Sequence, residues 1–262
     1  MGPLAPSDVA ALATAASGSR VPGLTAHRLC AHTLGNPRHL LALLAETPPD
    51  RWRGWEPVLP APRIYSRTVV RRLAACGGDA RLLVEAVAAL GDDAALATAA
   101  ALADVDEPLE ALEEACSAGL LAVTGPAPPG DLTFPHPLVR AAVYGQLTPG
   151  RRSRLHREAA RLVDDAQAAL HHRAAAAQLP DDALAAELQC CSDRARMVGK
   201  WAEAAWALLE SGRLSAHREL REQRVLRAVA LLGDAGGVAG TPGPDLASAA
   251  GGPLRDATTI SS

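Results

Sequence analysis

The side chains that could do chemistry are few. His171-His172 could hold a metal in principle, but no second group of ligands accompanies the pair, and a solvated helix face is the simpler reading. Asp92-Asp93, Asp164-Asp165 and Asp181-Asp182 read as caps or solvated ends rather than acid/base dyads. The five cysteines (Cys30, Cys76, Cys116, Cys190, Cys191) form no C-x-x-C pair, and an odd number does not suggest a disulfide framework. Each lies in or beside an apolar helical stretch, where free cysteine packs as a small hydrophobe. H-E-x-x-H and G-x-S-x-G do not occur. A P-loop needs a lysine after a glycine-rich turn to reach the phosphates. The only lysine is Lys200, with Arg194 and Met197 where loop glycines would lie. No apolar strand ends in paired carboxylates for magnesium, so the expectation is a chain that is not an enzyme by itself and carries no metal.

Two further spots are better placed. His136 precedes Pro137 at a helix start, where outward-pointing backbone N–H groups favour an anion. The same two residues could equally serve only to cap that helix. In Gly35-Asn36-Pro37, the glycine suits the left-handed position that closes one helix, Asn36 can cap the next, and Pro37 is pre-shaped for its first turn.

The elements that must position these residues are helices. The 262 residues include 57 Ala and 38 Leu, both strong helix formers, but two Ile, one Phe and two Tyr. A large sheet is excluded. The net charge of −3 argues against a role in coating nucleic acid. No apolar run reaches the ~18 residues of a membrane span, and no basic region precedes an apolar core at the N-terminus. The expectation is a cytoplasmic protein with no membrane partner.

Along the chain, residues 1–47 read as three short helices, the last carrying Leu40, Leu41, Leu43 and Leu44. Residues 48–63 hold five prolines with Trp52 and Trp55, a connector expected to be ordered by its tryptophans against a neighbouring domain. In 64–166, helix patterns at 66–76, 80–90, 93–103 and 107–118 precede a strand at 120–124, a Pro/Gly turn and a return strand at 132–134. Helices follow from Pro137 and from Pro149, the second with Leu155, Ala159, Leu162 and Val163 inward. Helices plus one hairpin is the winged-helix plan. Residues 167–232 read as helical pairs: one helix to Gly199, its partner up to Gly212, and a third over 215–232, with the small/large spacing of a tetratricopeptide hairpin. Residues 233–262 read as a disordered tail. The fold class is therefore all-α with one small β-hairpin wing, a winged-helix-like domain followed by tetratricopeptide-like helical hairpins.

The run Phe134-Pro135-His136-Pro137-Leu138-Val139-Arg140-Ala141-Ala142-Val143-Tyr144, followed by Arg152 and Leu155-His156, resembles the winged-helix segment of LuxR-type large ATP-binding transcriptional regulators, in the STAND class of AAA+-like ATPases. Ala115-x-x-Ala118-Gly119-Leu120-Leu121 and Gly35-Asn36-Pro37 fit the same family in the same order. The resemblance is specific over 134–156, looser at 35–37 and weak after 167. It implies that 1–47 are ATPase lid helices, that Gly35, Asn36 and Pro37 border the adenine, and that His136 faces the β-phosphate of ATP or ADP. It also implies that the ATPase core and the LuxR helix-turn-helix, both lacking here, are this piece's partners. DNA would be met only through the missing helix-turn-helix, and the complete protein would form a homo-oligomer. The chain alone would then need no cofactor.

The resemblance predicts the nucleotide-sensing and coupling part of a transcription regulator. Two alternatives compete. A helical-repeat interaction scaffold would rest on 167–232 and Trp201/Trp206, and a DNA-binding winged helix would use Arg140, Arg151, Arg152, Arg154, Arg157 and Arg161. Against the latter, Arg154, Arg157 and Arg161 read as a solvated outer stripe, and Glu107, Glu110, Glu113 and Glu114 occupy the candidate recognition helix.

Overall fold

The computed structural model describes residues 2–53, 58–125 and 130–238, with side chains as far as residue 231. Proline and glycine set most helix boundaries. α1 (Pro6–Ser17) ends at left-handed Gly18, and α2 (Gly23–Thr33) ends at left-handed Leu34 and Gly35. α3 (Pro37–Glu46) starts at Asn36, whose side chain accepts the N–H groups of Arg38 and His39. The short α4 (Pro49–Arg53) follows. Val9, Ala13, Leu29, Leu40 and Leu43 from these helices form one hydrophobic core together with Trp52 and Leu59. Trp52 thus seals the N-terminal helices themselves, rather than docking on a neighbouring domain; Trp55 lies outside the described residues.

A second core is built by α5 (Arg63–Ala75), α6 (Gly78–Leu90), β1 (Ala94–Ala95), α7 (Leu96–Ala103), α8 (Pro108–Ser117), β2 (Ala122–Thr124), β3 (Asp131–Thr133), α9 (Pro137–Gln146) and α10 (Pro149–Leu162). The expected hairpin is present, but the sheet has a third strand where a helix from residue 93 was expected. The order is β1-β3-β2, all antiparallel, with Ala94 opposite Leu132 and Val123 opposite Leu132 on the other side. Left-handed Gly91 and Asp93 break the chain before β1, and pairing with β3 overrides the helix preference of Ala94-Ala95. Leu120, Leu121 and Phe134 flank the strands and are buried. The turn residues 126–129 lie outside the described residues. In α10, Leu155 and Ala159 are buried as expected, whereas Leu162 at the last turn is exposed.

The third core joins α11 (Ala166–Ala176), α12 (Asp182–Met197) and α13 (Trp201–Leu214). Gly212 does not stop α13. It lies inside the helix, where α14 (Arg218–Val238) passes so close that a Cβ would meet Val225 Cγ2 at 3.3 Å and the Arg221 carbonyl at 3.4 Å. α14 also continues to Val238, so residues 233–238 are helical rather than tail; 239–262 lie outside the described residues. The chain is mainly helical, with fourteen helices and one three-stranded sheet among the described residues. None of those helices is long and apolar enough to cross a membrane.

Candidate functional site

The extended backbone at His136 (φ −155°) turns into α9 at Pro137, and the imidazole Nδ1 accepts the Leu138 N–H at 3.0 Å. The ring therefore caps its own helix. Because Nδ1 is the acceptor, the ring proton resides on Nε2, which stays available as a donor. The capping and anion-facing roles draw on different nitrogens and do not compete.

The Asn36–Pro37 turn is brought to the same place through its own helix. Asn36 caps α3 and fixes His39, whose ring meets His136 edge-on at 5.4 Å between centroids. Tyr65 from α5 completes the group, 5.3 Å from His39 and 5.6 Å from His136. His32 on α2 lies alongside and donates Nε2–H to the Pro60 carbonyl at 3.0 Å. Four rings from α2, α3, α5 and the start of α9 thus converge between the first and second cores. His39 and Tyr65 were not singled out from sequence; the signal was their spacing, with His39 in the first turn after the Asn36 cap.

Burial dominates the electrostatics here. It lowers His32 to about 4, with Arg28 and His136 opposing a further charge. Burial also lowers His39 and His136, the latter further opposed by His39, and raises the Tyr65 phenol against the pull of Arg72. These histidines are neutral at physiological pH; Arg28 acts electrostatically on His32, and Arg72 on Tyr65. The Nδ1 of His39 is buried without a hydrogen-bond partner within the protein, the kind of orphaned atom that calls for a ligand or water.

Gly35 has a local duty. Its left-handed φ of 66° lets the N-terminal segment cross it: a Cβ there would meet the Leu4 carbonyl oxygen at 2.5 Å, and Leu4 N–H donates to the Gly35 carbonyl. Pro37 fills the first position of α3.

The histidine pair behaves differently from expectation. Neither His171 nor His172 is on a solvated face. His172 is buried, with its Nδ1 3.0 Å from His156 Nδ1, and the His171 ring stands edge-on against Trp206 at 3.8 Å. Convergence of α10, α11 and α13 hides them. Among the described residues no group of three His, Cys, Asp or Glu could hold a metal.

Of the basic residues weighed for DNA, Arg140 turns inward and donates Nε–H to the Ala88 carbonyl at the end of α6, and Arg151 pairs with Glu85 at 3.1 Å. Arg154, Arg157 and Arg161 are exposed. Glu110 and Glu113 project from α8 into solvent, while Glu114 accepts the Gly77 N–H at the start of α6. No family model, curated protein or solved structure matches the chain.

Proposed function

We propose that this chain is the nucleotide-sensing and coupling part of a LuxR-type, ATP-binding transcription regulator, with α1–α3 as lid helices and 64–166 as a winged-helix-like domain. The observation that carries the reading is the meeting of His136 with the helix that Asn36 caps. A donor Nε2–H on His136 beside the orphaned His39 Nδ1 suits the phosphate end of ATP or ADP. The strand order β1-β3-β2 with α6, α7 and α8 interleaved supports the winged-helix part. The α12/α13 hairpin with its close Gly212 contact to α14 supports a tetratricopeptide-like arm.

Within this reading His136 and His39 would hold the phosphate end of a bound nucleotide, which would supply negative charge between the α3 start and α9. The chain's own part is to hold His136 in one tautomer, through the Leu138 N–H bond to Nδ1, among half-buried rings where a single charge matters. The backbone cradle for phosphates is not in this sequence, so affinity of the chain alone is expected to be poor. The partners remain the ATPase core and the helix-turn-helix. A direct DNA-reading role is disfavoured by the exposed carboxylates of α8. A pure scaffold role draws on the exposed apolar side of α14, where Leu226 and Val229 face solvent.

The test is titration of a fluorescent ADP analogue with the ATPase core supplied. Saturable binding that His136→Ala removes supports the proposal, and no binding with the core present rejects it.

A further inference from the structure

The outer face of α5 is a line of arginines, met by a carboxylate only at its start, where Glu46 accepts the Arg63 backbone N–H at 2.6 Å. Arg63, Arg67 and Arg71 recur every four residues, are exposed, and make no side-chain ion pair among the described residues. They edge a groove of about 600 Å³ between α5 and the end of α9, floored by Val70 and Ala74. A second stretch of about 430 Å³ shares Val70, Ala74 and Gln146 with it and adds Leu73, Leu82 and Arg81. The two adjoin along Val70, Ala74 and Gln146 as a shallow, open groove with an apolar floor and a basic rim.

Elsewhere, the same chain carries the complement. α8 presents Leu109, 60% exposed, beside Glu110 and Glu113, and neither carboxylate has an ion-pair partner among the described residues. An apolar knob flanked by acids matches an apolar floor flanked by bases. The helical repeat brings Glu110 and Glu113 about 4.5 Å apart along the axis and the arginines about 6 Å apart, so both glutamates can reach Arg67 and Arg71 together.

We propose that the α5 groove receives the α8 face of a second copy of this chain, with Leu109 on Val70 and Ala74, and with Glu110 and Glu113 on Arg67 and Arg71. The apolar floor, and Glu85 at the far end of the groove, disfavour nucleic acid as the occupant. One helix in a groove buries less than the about 1,200 Å² of a standard interface, so the association is weak, of micromolar order, and sensitive to salt.

Sedimentation velocity of the full chain tests this. At low salt the average mass should rise with concentration, and the dissociation constant should weaken at least about tenfold on raising the salt to about 0.5 M. Arg67→Glu/Arg71→Glu and Glu110→Arg/Glu113→Arg should each abolish association, and an equimolar mixture of the two should restore it. All four residues are exposed, and circular dichroism checks folding; Arg67→Gln and Glu110→Gln serve if a double variant misfolds. A chain that stays monomeric at low salt overturns the proposal, as does association that survives either double variant or a mixture that fails to associate. So does saturable binding of pyrophosphate or duplex DNA that Arg67→Glu/Arg71→Glu removes while Glu110→Arg/Glu113→Arg leaves self-association intact.

Discussion

His156 and His172 approach Nδ1 to Nδ1 at 3.0 Å, so one of the two nitrogens donates and the other accepts. Tyr144 OH stands 2.8 Å from His156 Nε2, and Arg152 lies over the Tyr144 ring at 5.4 Å. With the phenol donating to Nε2, His156 carries its proton on Nδ1 and donates it to His172; with the phenol accepting, His172 is the donor. The relay Tyr144–His156–His172 runs from α9 through α10 and ends on α11.

Acid should weaken the fold from just below neutral pH. Burial holds His156 at about 3 and His172 at about 4, each disfavoured further by the other ring or by His171 and by Arg140; His32 is likewise at about 4. Unfolded, each binds a proton near 6.5, so below that pH the unfolded chain takes up protons that the folded chain refuses. Stability is full above pH 6.5 and falls as pH drops toward 4, by at most about 1.4 kcal/mol per pH unit for each histidine. Thermal melts from neutral pH to about 4.5 check this; a flat profile would contradict it.

Removing one link of the relay should cost more than its hydrogen bond. Tyr144→Phe leaves His156 Nε2 buried without its partner, a loss of about 1–3 kcal/mol in urea unfolding. Combined with His156→Leu, the two losses should fall short of their sum, because the partners share one bond.

Gly35→Ala should destabilise the first core by about 1–3 kcal/mol, since a side chain there combines a left-handed backbone with a collision at Leu4. Asn36→Ala should cost about 1 kcal/mol through the lost α3 cap. If His39 is positioned by that cap, its ring resonances in NMR should shift in Asn36→Ala as well.

Arg213 reaches from α13 to the last turn of α11, with guanidinium donors to the Ala174 and Ala177 carbonyls at 2.6 and 3.0 Å. Arg213→Ala should lower stability by about 1–2 kcal/mol. Arg213→Lys should recover only part of that, having no fork to span both carbonyls.

The helix boundaries could be read from sequence because they are local. Pro37, Pro137 and Pro149 sit in first turns, and Gly18, Gly91 and Asp104 end helices, by rules that need only a few neighbours. β1 could not be read, because nothing in Ala94-Ala95 distinguishes strand from helix; β3, nearly forty residues later, decides it. His171-His172 misled for the same reason, since the burial comes from α10 and α13. Of the candidate site, Asn36 and His136 were visible as caps. Their meeting through His39 and Tyr65 depended on how two apolar clusters face each other.

That division into clusters has a kinetic meaning. Each of the three apolar clusters closes on its own residues, and aromatic side chains bridge the intervals: His39, His136 and Tyr65 in one, His156 and His172 in the other. Flat rings slide and pivot where interlocked aliphatic chains would jam, so amide protons in α3 and α11 should exchange by joint-opening well before those of α6, which lies at the heart of the middle cluster. Acid near pH 4 and below, where His172 and then His156 take up protons, should open the α10–α11 joint first.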